Sequence, residues 1–453
     1  MAFVSIRFFI FLAVFLVLYK LTENNQKFQK IIIIAGSYVF YSFFNIYFAI
    51  LLLAISLFTW FAGTSLYSSK KKSILASSIA INLAVLCFFK YIGLASSNDF
   101  LSKIAMPIGI SFYIFEAISF LVDSYKGKIT RKYSLTDVLL YLSFFPILVS
   151  GPIMKAHEFL PQCDKEHRIS LSSLENGAQR FLLGAFEKVV IADRLSVAVD
   201  AVYSAPAAYS GASLLWNSLT YTLQLFFDFA GYTNMAIGIA TILGFSIKEN
   251  FNLPYIASSP SDFWKRWHIS LSSWITEYVY IPLGGNRKGI TRTYINIMLA
   301  MLISGIWHGS TLNFVVWGGL HGIAQVIEKA IDNRSNPRTG KTPAYVSVPF
   351  TFLLVNFLWI PFRTDDIAMT ILVFKRIFTN APGITYLYSY TLIFTITLTI
   401  VEVYALLRNN GNNPIRPMNL RTMKGKIVTA ALFILTLMLA YFGNGAFIYG
   451  AKF

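Results

Sequence analysis

Charged side chains are few in this sequence, 13% of 453 residues, where soluble domains carry roughly 25%. Hydrophobic residues make up 56% and include 41 phenylalanines. Water could not solvate a folded chain of that composition, so the soluble globular classes are excluded. Long polar stretches are missing too, which leaves one integral-membrane domain over 1–453 rather than a string of domains. Cysteine is scarce: Cys87 sits in an apolar run and Cys163 in a polar loop, a pattern that supports neither a disulfide framework nor a thiolate metal site. No His-Glu-x-x-His pair, Gly-rich phosphate loop or G-x-S-x-G elbow occurs, and no metal is expected. Internal repeats are not evident, which weakens a transporter built from duplicated halves; Glu116 and Asp228 are the carboxylates such a protein would use.

Long apolar runs are what the sequence does have. Residues 31–66 carry no charge over 36 positions, too long for one crossing at ~20 residues each. Asn45 offers a polar turn near the middle, so two helices are expected there. Candidate spans fall near 2–19, 30–45, 47–67, 73–95, 104–122, 136–153, 177–200, 213–227, 229–246, 270–283, 292–309, 311–330, 344–362, 385–407 and 427–449. Several are short enough to be re-entrant or interfacial, and about eleven true crossings are expected. The fold class is therefore all-α, a polytopic membrane helical bundle. Met1 to Tyr19 lacks a small-residue cleavage site and reads as a retained first helix rather than a signal peptide.

The net charge is +17, but the cations sit in short loops between apolar runs, where they set orientation in the lipid bilayer rather than bind nucleic acid. Five clusters stand out: Lys20/Lys27/Lys30, Lys70/Lys71/Lys72, Lys126/Lys128/Arg131/Lys132, Arg334/Arg338/Lys341, and Arg408/Arg416/Arg421/Lys424/Lys426. Placing all five in the cytoplasm agrees with the span list and puts both termini outside. Ser150-Gly-Pro-Ile-Met-Lys155 interrupts an apolar segment. Non-helical backbone at membrane depth is tolerated only where protein or a watery cavity covers it. In the polar loop that follows, His157 and His167 are as readily interface anchors as functional groups.

Residues 254–321 concentrate three of five histidines and five of eight tryptophans. From Asp262 to Trp274 the chain suggests an amphipathic helix lying at the interface, with Asp262 or Ser261 as N-cap. Trp264, Trp267 and Trp274 would give its apolar surface, Lys265 and Arg266 its charge. Asp262 and His268 lie six residues apart and cannot pair on one helix face. His268 is either part of this anchor or turned into a cavity that the helix borders. His308 ends an apolar run, a costly position unless the ring is paired or lines a polar cavity; Gly305 and Gly309 beside it allow close helix approach or room for a substrate. His321 lies 13 residues further on, ~20 Å along a continuous helix and ~140° around it. It is expected to be a separate site or a packing residue unless the chain breaks near Gly309, Gly318 or Gly319.

These residues resemble the membrane-bound O-acyltransferase family. Asp262-Phe-Trp-Lys-Arg-Trp-His268 matches the segment bearing the family's second polar catalytic residue, and Trp307-His308-Gly309 the motif of its invariant histidine. Ile281-Pro-Leu-Gly-Gly-Asn286-Arg287 is similar to the branch that acetylates bacterial polysaccharides. So are Pro107 to Tyr113, Gly151-Pro152 with Phe159-Leu-Pro161, and Phe447-Ile-Tyr449. The resemblance implies a bundle with a central funnel in the bacterial cytoplasmic membrane, His308 near its base and His268 close by. It further implies an acyl thioester donor, acetyl-CoA first, with no bound cofactor, and an extracytoplasmic polysaccharide acceptor reached directly or through a periplasmic SGNH-type partner. His308 would act as general base and His268 would orient or polarise the acyl carbonyl. Trp307, Gly309, Asp262, Trp264, Arg266, Trp267, Asn286, Arg287 and His321 are possible supporting residues. D-alanyl transfer to teichoic acid is the alternative within the family, and a glycan-precursor transporter the alternative outside it.

Overall fold

A computed structural model of the chain describes residues 1–95, 105–334, 343–408, 420 and 422–441. Helices α1 (Ile6–Leu21), α2 (Gln26–Ser42), α3 (Ile46–Ser69) and α4 (Lys72–Ala95) lead to α5 (Ile110–Lys126). Shorter α6 (Leu135–Ser143), α7 (Phe145–Leu148) and α8 (Ala156–Phe159) precede α9 (Leu171–Phe186), α10 (Asp193–Ser204) and α11 (Gly211–Ile242). Then come α12 (Pro260–Arg266), α13 (Ile269–Ile275), α14 (Ile290–His308) and α15 (Leu312–Arg334). The last are α16 (Ala344–Arg363), α17 (Ile367–Phe378), α18 (Ser389–Arg408) and α19 (Met423–Leu439). Among the described residues there is no strand, and five helices, α3, α4, α11, α14 and α16, are long and apolar enough to cross a membrane.

The charge-free run does divide at Asn45, whose side chain caps α3 by accepting from the Tyr47 amide at 2.9 Å. Other expected spans are redrawn. The two near 213–227 and 229–246 are one helix, α11, 32 residues long, with 89% of its apolar window buried. Asp228 does not break it because Lys188 Nζ reaches that carboxylate at 2.5 Å and Asp193 at 2.7 Å. Lys188 stands on a π-helical turn, Glu187–Ala192, between α9 and α10, so the single run expected at 177–200 is instead two helices. The stretch expected at 270–283 is no span: α13 ends at Ile275 and a π-helical turn, Thr276–Tyr280, follows. Helix α17 was not expected at all.

The Ser150–Lys155 break is covered by protein, as burial at that depth requires. Its amides and the next one find side chains on two helices: Ile153 N donates to Ser270 Oγ of α13 (2.9 Å), and Met154 N and Ala156 N to Glu116 Oε1 (3.3 Å) and Ser119 Oγ (2.8 Å) of α5. Glu116 thus supports a loop and Asp228 an ion pair, which removes the two carboxylates a transporter reading relied on. The first three basic clusters meet in the folded chain. Lys30 and Arg131 share Asp137, Lys70 donates to the Ser124 carbonyl, and Lys128 pairs with Glu277. One face therefore collects them. Arg338, Lys341, Arg416, Arg421 and Phe447-Ile-Tyr449 lie outside the described residues.

Helices α14 and α15 pack against each other through bare backbone. A Cβ on Gly318 would strike the Met301 carbonyl and stand 3.2 Å from Gly305 Cα. At Gly319, one residue on, the nearest atom would be 3.7 Å away, an ordinary contact. Gly318→Ala is therefore expected to cost about 1–3 kcal/mol through overpacking. Gly319→Ala should be neutral. Thermal unfolding of the two purified variants in detergent checks the contrast.

Candidate active site

Helix α14 ends at His308, and Gly309 continues in extended backbone at φ −168°. The chain breaks there before α15 begins at Leu312. This break overturns the continuous-helix geometry that would have kept His321 away from His308. Both rings now pack on Trp317, whose ring centroid lies 5.0 Å from His308 and 4.9 Å from His321. His308, Trp317 and His321 are all buried. Gly309 leaves room for the Phe314 ring rather than for a substrate, since any Cβ would overlap that ring.

The expected amphipathic helix from Asp262 to Trp274 is two helices with a sharp joint. The N-cap of α12 is Ser259, not Asp262 or Ser261; its side chain accepts from the Asp262 amide at 3.2 Å. Pro260 at the first helical position explains that start, because its missing N–H and fixed φ suit the site. Asp262 instead holds Arg266 Nε at 3.0 Å, and Arg266 also donates to the Asn252 carbonyl. At the joint His268 adopts left-handed φ/ψ of 44°/52°, a conformation costing ordinary residues roughly 1–2 kcal/mol. Asn250 offsets it. Its carbonyl accepts from Ile269 N at 3.0 Å, and its Oδ1 accepts from Ser270 N at 3.1 Å and lies 3.3 Å from His268 Nδ1. An amide oxygen accepts, so Nδ1 carries the proton in the neutral ring and Nε2 the lone pair.

An interfacial role for the tryptophans does not survive. Trp264, Trp267 and Trp274 are all buried: Trp264 packs on His321, and Trp267 and Trp274 pack among other aromatic rings. Trp307 touches both His268 (6.1 Å) and His308 (4.9 Å) by ring centroid. Trp264 Nε1 donates to His321 Nδ1 at 3.3 Å, and Trp267 lies between Phe251 and Trp359 at 5.0 Å each. Trp274 stacks on Phe115 at 3.8 Å. Among the described residues, Trp317 Nε1 and His321 Nε2 are buried without a protein partner. Such groups are costly in an apolar interior unless a ligand or water engages them.

A cavity of about 980 Å³ opens beside this cluster. Along α14 its walls are Thr293, Ile297, Ala300, Met301 and Ser304, one helical stripe that the next turn extends to His308. Trp264 and Lys265 line it from α12 and Asn286 from the following loop, whereas Arg287 is exposed and outside its wall. Lys128, Lys155, His157 and Glu277 also line it, as do Gln325, Glu328, Lys329 and Asp332 of α15. Sequence reasoning missed Asn250, which sits in no motif and acts on a distant element, and it read Lys155 only as the end of the Ser150–Lys155 break, without its pairing to Glu277. His167 is buried, stacks on Phe245 at 4.0 Å and hydrogen-bonds to the Gln162 and Gly244 carbonyls, a packing role.

Asp123, His157 and Glu277 also converge, with ligand atoms within 4.8 Å of one another. That grouping was not expected from sequence. Two lysines already neutralise Glu277, Lys128 and Lys155, the latter at 2.5 Å. Burial pushes the Glu277 carboxyl up, but these lysines outweigh it and hold the group down at about 2. A depressed carboxyl contributes stability that is complete above its unfolded value and is lost as pH falls through the folded one. Glu277→Gln is therefore expected to unfold several degrees earlier than the parent at pH 6. The gap should close between pH 4.5 and about 2, as followed by thermal unfolding.

The fold and site define an integral membrane protein of α-helices with a buried histidine–tryptophan cluster beside a cavity that Trp264 and Ser304 line. Residues 33–362 match the model of the membrane-bound O-acyltransferase family. The chain belongs to that family. It is 37% identical over 376 residues to a Pseudomonas putida protein described as a probable alginate O-acetylase, covering 79% of this chain and 76% of that one. It is 33% identical over 390 residues to the peptidoglycan O-acetyltransferase of Helicobacter pylori, covering 78% and 74%. A teichoic acid D-alanyltransferase of Bacillus subtilis is 30% identical over 232 residues, covering 48% and 57%.

Proposed function

We propose that this O-acyltransferase moves an acetyl group from acetyl-CoA, entering past Lys128 and Lys155, to a hydroxyl of an extracytoplasmic polysaccharide. The cavity that runs along one stripe of α14 to within a turn of His308 is the observation that carries this reading. The bundle would make about eleven crossings of the bacterial cytoplasmic membrane, with its N-terminus outside and this cavity as the donor-side funnel. Similarity to alginate and peptidoglycan acetylases favours acetyl over D-alanyl. The acceptor is reached directly or through a periplasmic SGNH-type partner.

His308 is the general base. It takes the proton of the acceptor hydroxyl as the oxygen attacks the thioester carbonyl, and returns it to the departing thiolate. An ester and a free thiol result, and no acyl-enzyme is required. His268, with Nδ1–H committed to Asn250, orients the reacting groups through Nε2. The indole N–H of Trp317, buried without a protein partner, would polarise the acyl carbonyl. The surrounding tryptophans exclude water, which would otherwise hydrolyse the thioester. His308→Ala is expected to lower acetyl ester on the cell's envelope polysaccharide by about 100-fold or more, read by mass spectrometry of purified glycan. Normal acetylation in that variant would sink the assignment, and a D-alanyl ester lost in its place would move the reaction to the alternative donor.

A further inference from the structure

Lys90 is a lysine that fold and chemistry so far leave without a purpose. It sits on α4, one of the helices apolar enough to cross a membrane, and is 9% exposed. A charge there is costly unless something engages it. No carboxylate pairs with it among the described residues. Its Nζ donates instead to the Trp307 carbonyl and stands 5.8 Å from the centroid of the Trp307 ring. The next residue repeats the contact one carbonyl earlier: Tyr91 Oη donates to Ile306 O at 2.7 Å.

Those two carbonyls belong to the last turn of α14, where helical C=O groups lose their intrahelical donors. The chain leaves the helix at Gly309, so no following turn supplies them. A cation at a helix C-terminus also complements the macrodipole. Two consecutive side chains of α4 thus cap the two peptides immediately before His308. Fold stability alone gives little reason to use a lysine, because a buried charge gains little over a well-packed apolar residue. The Gly305–Gly318 contact already joins α14 to α15. A strong donor is most useful where the backbone must not shift, and the backbone it holds carries the candidate base.

We propose that Lys90 and Tyr91 form a clamp on the Ile306 and Trp307 carbonyls that fixes the His308 ring for acyl transfer, Lys90 being a positioning residue of the reaction. The clamp rests on the reading of His308 as the base. Its test uses the full chain in membrane vesicles, as Lys90→Met, Lys90→Arg and Tyr91→Phe, with [14C]acetyl-CoA as donor. Lys90→Met is expected to lose about 100-fold in maximal rate, the scale of a small misplacement of reacting groups, with the KM for acetyl-CoA within about threefold. Tyr91→Phe removes one hydroxyl from a partly exposed residue and should lose about fivefold, in line with one neutral hydrogen bond. Lys90→Arg should recover part of the rate.

Hydrogen exchange supplies the readout that does not depend on activity. Amides of 305–309 should exchange faster in Lys90→Met while those of 314–330 stay as in the parent. Unchanged exchange at 305–309 overturns the clamp whatever the rates do. Faster exchange with an unchanged rate overturns its role in the reaction, and so does a rate loss matched by faster exchange throughout α15. A parent protein whose rate survives His308→Ala would instead point to failure of the functional reading.

Discussion

Two glycine backbones in contact, Gly305 on α14 and Gly318 on α15, hold the centre of this protein in place. Their contact draws the two helices close enough for Met301 and Phe314 carbonyls to occupy the space side chains would take. The close approach depends on the chain turning back within three residues after His308. Because it does, His308 and His321 come to opposite contacts of one indole, Trp317. A continuous helix would have separated them by ~20 Å, and no cluster would exist.

Around that contact the bundle meets the cost of buried polar groups locally. Asn250 stabilises the left-handed joint at His268 by accepting from the two amides that follow it. Asp228 keeps α11 continuous through Lys188, delivered by a π-helical turn. The Ser150–Lys155 break borrows side chains from α5 and α13. Each device joins residues far apart in sequence, so the site's geometry is a property of the whole bundle. Trp317 Nε1 and His321 Nε2 are among the buried polar atoms that the described residues leave without a protein partner.

Much of this was legible in sequence where the physics is local. The scarcity of charge gave the membrane class, Asn45 the turn between α2 and α3, and the cost of a histidine closing an apolar run the end of α14. Motif resemblance supplied the family and paired His268 with His308. Long-range effects were not legible. Tryptophan beside lysine and arginine reads equally as a membrane-surface belt or as a core, and only burial of Trp264 and Trp267 decides it. Pro260 was an available signal for the Ser259 cap, and it was outweighed by the acidic residue at 262. The length of α11 could not be read because its Asp228 depends on a lysine 40 positions away.

In the proposed reaction the donor reaches His308 through the cavity lined by α12, α13, α14 and α15. Photolabelling with a diazirine-bearing acetyl-CoA analogue, followed by peptide mapping, tests this route most directly. Label is expected on peptides covering 261–277 and 297–308, suppressed by excess acetyl-CoA and retained in a His308→Ala protein. Label confined to other surfaces, such as the apolar groove between Phe9, Phe181 and Phe433, or label that acetyl-CoA does not displace, would contradict it.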